Sequence, residues 1–181
     1  MLNIEFAFDM TERKHLSELR TLSAEGAIAL REAALENARE NGVEGFLIIF
    51  DARGLQLTSE GLGRYNETNI AIALAKAKTA LSIHRSTSVQ RERMESKGQK
   101  REDFGDRIGS LFGGGVAVFA DEAKIEFVGA MAFSGGTEEQ DENICRTAVD
   151  SLGLYTDLTP EILATTEGKT ESSGEDSDIP F

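Results

Sequence analysis

The stretch GFLIIFDARGLQLTSE (residues 45–60) decides the fold. Its first seven residues, 45–51, form a continuous apolar run of strand length, the pattern of a strand covered on both faces. Ala52-Arg53-Gly54 offers a turn, and LQLTSE then alternates apolar and polar residues, as a half-buried partner strand does. The stretch is therefore read as a β-hairpin with one central strand. A second hairpin is expected from GGGVAVFAD (113–121) and KIEFVGAMAFSGG (124–136), joined at Asp121-Glu122-Ala123.

Helical patterns flank and separate these hairpins. From Thr21 to Asn41, Ala27, Leu30, Ala34, Leu35 and Ala38 recur at helical spacing, and Asn41-Gly42 marks the stop, because glycine accepts the left-handed conformation that ends helices. NETNIAIALAKAKTALSI (66–83) is a second, alanine-dense helix whose apolar stripe is expected to run through Ile70, Leu74, Ala77 and Leu81. A third opens at Thr137-Glu-Glu-Gln140, a capping-box pattern, with Ile144, Cys145, Ala148, Val149 and Leu152 as its buried stripe. Between them, residues 85–107 carry seven basic side chains against five acidic ones and are expected to be partly helical and to end in a loop.

Helix, hairpin, helix, hairpin, helix describes an α+β domain in which helices flank an antiparallel β-sheet, not a repeating βαβ unit. No G-x-G-x-x-G links a strand to a helix, so a dinucleotide-binding fingerprint is missing as well. No solenoid repeat is visible. The domain is expected over 21–164, after an N-terminal extension (1–20) and before an acidic tail, TTEGKTESSGEDSDIPF (165–181), too poor in apolar residues to fold alone.

With 19 basic and 32 acidic side chains the formal charge is −13, which repels nucleic acid and anionic membranes. Cys145 is the one cysteine. It excludes an internal disulfide or a multi-cysteine metal cluster and fits a reducing, cytoplasmic setting. The start of the chain lacks the pattern of a signal peptide, and no apolar run approaches the ~20 residues that span a bilayer.

Two glycine-rich segments stand out, Gly113-Gly114-Gly115 and Ser134-Gly135-Gly136-Thr137. Successive glycines let backbone amides converge, and the second segment opens a helix, so together they are candidate contacts for a small anionic ligand. The alternative is that they serve tight turns and close packing. His84 is a candidate proton carrier or metal ligand at the end of the alanine-rich helix, where the helix dipole also favours histidine. Arg85 beside it could hold a carboxylate. Asp141, in the first turn of the last helix, suits the dipole and could act as acid or base if it faces the glycine loops. Lys76 and Lys78 point to different faces, so at most one serves an interior site. His15 lies in a polar run and reads as solvated, and Cys145 reads as core.

The succession FLIIFDARGLQL, IAIALAKAKTALSIHRSTS, GGGVAVF and GAMAFSGGTEEQD resembles the GlcG/HbpS family, which includes the C-terminal domain of PduO-type proteins, over residues 21–153. Lys76, Ala77, Thr79, Ala80, Arg85 and Thr87 match a family motif in which Lys78 replaces arginine and Ser86 replaces proline. Ala117 stands where the family has the proline of G-G-G-V-P, Ala132 stands where it has the second glycine of G-A-I-G-V-S-G, and Asp141 matches the aspartate of E-Q-D. The resemblance implies a profilin/PAS-like layered domain, self-assembly into homo-oligomers, and haem or corrinoid binding, with His84 as the metal ligand if haem is bound. It singles out Lys76 over Lys78. The leading expectation is a ligand held between the Ser134–Thr137 loop and the alanine-rich helix of a neighbouring subunit. The alternatives are a lyase or isomerase acting on a small carboxylated intermediate, with Asp141 or His84 moving a proton, and a structural or adaptor oligomer.

Overall fold

A computed structural model describes residues 19–158. The elements follow in the order α1 (Ala24–Glu40), β1 (Gly45–Asp51), β2 (Gln56–Leu62), α2 (Glu67–Ile83), α3 (Thr87–Ser96), a 3-10 segment (Arg101–Arg107), β3 (Gly115–Phe119), β4 (Phe127–Ser134) and α4 (Glu138–Ser151). Both hairpins form. They join through β1 and β4 into one antiparallel sheet of order β2-β1-β4-β3.

The central position of β1 explains its unbroken apolar run. Leu47 and Ile49 join a core made with Leu30, Ala34 and Leu35 of α1 and Ile144, Cys145 and Val149 of α4. Ile48 and Phe50 point the other way, onto Ala73 and Ala77 of α2. The molecule thus has three layers, with α1 and α4 on one face of the sheet and α2 on the other. At the far edge, Phe119 of β3 exchanges both backbone hydrogen bonds with Tyr155 (2.8 and 3.0 Å), which covers an otherwise open strand edge.

Local chemistry sets the helix boundaries. Ser23 caps α1 through Gly26 N (3.1 Å). Asn66 and Asn69 form a reciprocal cap on α2, and Thr137 and Gln140 form the expected capping box on α4. α2 ends at His84, whose left-handed backbone (φ 50°) turns the chain.

Three expectations change. The buried face of α2 is Ala73, Lys76, Ala77, Thr79 and Ala80, while Ile70 remains 37% exposed. Small alanines let the helix lie close to the sheet; of the expected stripe Ala77 is buried and Leu74 and Leu81 are half-buried against the sheet, while Ile70 turns away. The second hairpin is shorter than read, because Gly113 precedes the strand and packs on α4, while Gly114 contributes only its carbonyl, which accepts the Phe133 amide (3.0 Å). Segment 85–107 is partly helical as expected, through α3, where Thr87 Oγ1 donates to Phe112 O at 2.6 Å, but its end, expected as a loop, is the 3-10 segment Arg101–Arg107. The extension, the acidic tail and His15 lie outside the described residues, save positions 19 and 20. Among the described residues no helix is long and apolar enough to cross a membrane.

Candidate functional site

The glycine segments and Lys76 converge on one point at the end of the sheet. Lys76 reaches from α2, on one face, to Asp141 of α4, on the other, and its Nζ donates to Asp141 Oδ2 (2.7 Å) and Phe133 O (3.2 Å). Both side chains are 3% exposed. Asp141 Oδ1 accepts the amides of Gly135 (3.2 Å) and Gly136 (2.9 Å), while the Thr137 amide donates to Gln140 Oε1 (2.9 Å). The three amides expected to meet a ligand anion therefore meet side chains of this chain. Burial pushes the Asp141 carboxyl above the usual range, against the pull of the Lys76 ammonium and the two amides.

Glycine is required here by space. A Cβ on Gly135 would lie 2.0 Å from Glu44 O, one on Gly114 2.5 Å from Asp141 Cβ, and one on Gly115 2.7 Å from Lys76 O. Gly114 also has φ +101°. Gly136 is looser, since a Cβ there would meet the movable end of Gln140. Ser134 closes β4 as a buried residue.

Beside this knot lies a second, acidic one. Glu138 Oε2 accepts the Gly113 amide (2.7 Å) and pairs with Arg91 of α3. Glu142 is 4% exposed, its Oε1 has no hydrogen-bond partner among the described residues, and burial pushes its carboxyl up. One of the basic side chains of segment 85–107 thus neutralises the acidic first turn of α4. Cys145 is fully buried, and burial pushes its thiol far up, which makes it an inert core residue.

His84 and Arg85 are elsewhere. Eight positions of α2 separate Lys76 from His84, about 12 Å along the axis, so the structure does not bring His84 and Asp141 to one site. The His84 ring stacks on Phe127 (centroids 4.0 Å apart, planes at 8°), and Phe127 in turn meets Phe119 edge-on. Neither ring nitrogen has a hydrogen-bond partner among the described residues, and desolvation lowers its pKa. The imidazole is therefore neutral at pH 7, the form that binds metals. Arg85 donates to Gln90 Oε1 (3.0 Å).

Residue pairs with no sequence signal complete the picture. Ser86, in the family's proline position, donates both its amide (3.0 Å) and its hydroxyl to Asp157, and its Oγ accepts the Ala117 amide (3.1 Å). Proline could make none of these bonds. Asp157 lies next to the stretch that covers β3, so this pair ties the end of the domain to α3. Outside the Gly135-Gly136 loop lies a cleft of about 550 Å³ lined by Arg39, Arg64, Glu44 and Gln140.

The family model for "haem degrading protein HbpS-like" matches residues 22–150. No curated protein matches the chain. Among solved structures, a PduOC:heme complex is 26% identical with a TM-score of 0.65 and covers 76% of this chain and 99% of its own. Klebsiella pneumoniae protein ORFY is also 26% identical, with a TM-score of 0.65 and 80% and 97% coverage. A Streptomyces reticuli HbpS variant, 23% identical with a TM-score of 0.66, covers 77% and 92% and shares the fold. With the family pattern matched across nearly all of the described domain, the chain belongs to the HbpS-like family.

Proposed function

We propose that this chain is a ligand-binding protein that holds haem through His84 and assembles with copies of itself. The carrying observation is the state of His84. It is exposed, neutral at pH 7, free at both ring nitrogens among the described residues, and backed by Phe127. Such a ring could hold haem iron through a nitrogen, with the imidazole backed by the buried Phe127. Haem bound there would supply an iron whose reactivity its axial ligand tunes. Arg85 has guanidinium nitrogens beyond the one bonded to Gln90 with which to meet a propionate. The PduOC:heme complex supports the choice of haem over a corrinoid.

In this reading Lys76, Asp141 and the glycines are supports, because their polar groups are satisfied internally. An added small anion finds its best place in the cleft of Arg39 and Arg64. The lyase or isomerase reading needs Asp141 or His84 beside a substrate held by Arg85. Asp141 is locked under Lys76, away from both. The lone buried cysteine agrees with a cytoplasmic protein.

Titrating haem into the protein should give a Soret band that His84→Ala shifts or removes and that His15→Ala leaves unchanged. An unaltered band in His84→Ala would reject His84 as the ligand.

A further inference from the structure

Among the described residues nothing covers the outer face of α2 around Ile70 and Ala71. A helix that is hydrophobic all round is normally covered all round, and α2 buries Ala73, Ala77 and Ala80 against the sheet while Ile70 and Ala71 face outward and Leu74, half-buried against the sheet, borders them. Two shallow clefts of about 400 and 460 Å³ adjoin there, sharing Ala71, Ala75 and Gly109. Phe112, 59% exposed, stands at their rim.

Along this face Glu67, Ala71, Leu74 and Lys78 follow one another at intervals of four, three and four. That spacing is the seam of a helix pair packed side by side. The seam also reads as its own complement. When two copies of α2 run antiparallel about a twofold axis between residues 72 and 73, Ala71 meets Leu74 of the other copy, Ile70 meets Ala75, and Glu67 meets Lys78. Each contact occurs twice, as an isologous interface requires. Neither Glu67 nor Lys78 has a salt-bridge partner among the described residues. Alanine opposite leucine gives the small-against-large fit that lets two backbones approach.

We infer that α2 is the twofold interface of a homodimer, packed antiparallel on a second copy of itself with reciprocal Glu67–Lys78 pairs at its ends. This rests on the self-assembly proposed above and names its surface. The two copies would present their His84 residues at opposite ends of the paired helices, since each α2 ends where the other begins.

Sedimentation of the full chain tests it. The wild type should run at twice the protomer mass of 19.6 kDa. Ala71→Arg, at an exposed position, should weaken the dimer by about tenfold or more without lowering the melting temperature of the protomer. Lys78→Glu sets Glu67 against a second carboxylate and should weaken it less, and Glu67→Lys in the same chain should restore it. A wild type that stays monomeric at high concentration overturns self-assembly itself. An oligomer untouched by Ala71→Arg leaves assembly standing and overturns this interface. A fall in melting temperature with no change in mass means that the chain's own terminal residues cover α2, which also overturns it.

Discussion

The middle of α2 and its C-terminal cap carry groups of similar promise and opposite circumstance. Lys76 is wholly inside, with its ammonium on Asp141 and on Phe133 O. His84, two turns on, is stacked on one face and open on the other. Both were candidates for the same chemistry. The difference shows that convergence of polar residues is not in itself a site, because a carboxylate that gathers an ammonium and two amides has used the donors a ligand would need. The group left with unfilled capacity is the better candidate, though its surroundings are plainer.

Removing Lys76 should break this comparison hardest. Lys76→Met keeps the length and apolar stem of the side chain but leaves Asp141 buried without its counter-charge, which costs about 3–5 kcal/mol. Adding Asp141→Asn should recover part of the loss, since the amide needs no ammonium. Chemical denaturation of the two variants checks this. If Lys76→Met were as stable as wild type yet failed to bind ligand, the pair would be functional and the contrast with His84 would be wrong.

Gly135→Ala should follow in size. Its Cβ would press on Glu44 O and Gly45 Cα, both backbone atoms at the start of β1, so the strand must shift, at about 1–3 kcal/mol as for other overpacked sites. Gly136→Ala meets a side chain that can swing aside and should cost less. Equal melting temperatures for the two would mean that the loop adapts and that the glycines are there for something other than space.

The layered fold was legible because strand and helix periods are local: GFLIIFD declares a central strand and T-E-E-Q a helix start. The bounds of α3 within the partly helical segment were not, since TSVQRERMES has no apolar stripe and its burial comes from Thr87, Ser88, Gln90 and Met94. The buried face of α2 is rotated from the expected stripe, with Ala73, Ala77 and Ala80 innermost and Ile70 left out, because its tight fit to the sheet selects alanine over larger side chains. In the candidate site, the convergence of Lys76, Asp141 and the glycines follows the family motif. The Lys76–Asp141 pair joins residues 65 positions apart, and the Ser86–Asp157 tie joins residues 71 apart. No window of sequence contains either pair.

The smallest effect concerns the acidic neighbour of the sealed Lys76–Asp141 pair. Glu142 is buried, and its carboxyl lies above the ordinary value of 4.5, with the Ser88 hydroxyl, the Gly114 amide and Arg91 pulling it back and Glu138 pushing it further up. A raised value means that the folded chain keeps a proton that the unfolded chain releases. The resulting stabilisation is complete below about pH 4.5 and is lost as pH rises through the folded value. Glu142→Gln has no such proton to lose. Its melting temperature relative to wild type should therefore climb between pH 4.5 and neutrality, where burial of a charge handicaps only the wild type. Asp141 and Asp157 are also raised by burial, but both remain in each protein and cancel in the difference. A difference that stayed flat across that range would mean that Glu142 is ionised throughout, its charge held by Arg91. Arg91 would then serve two carboxylates, Glu138 and Glu142, beside the Lys76–Asp141 pair.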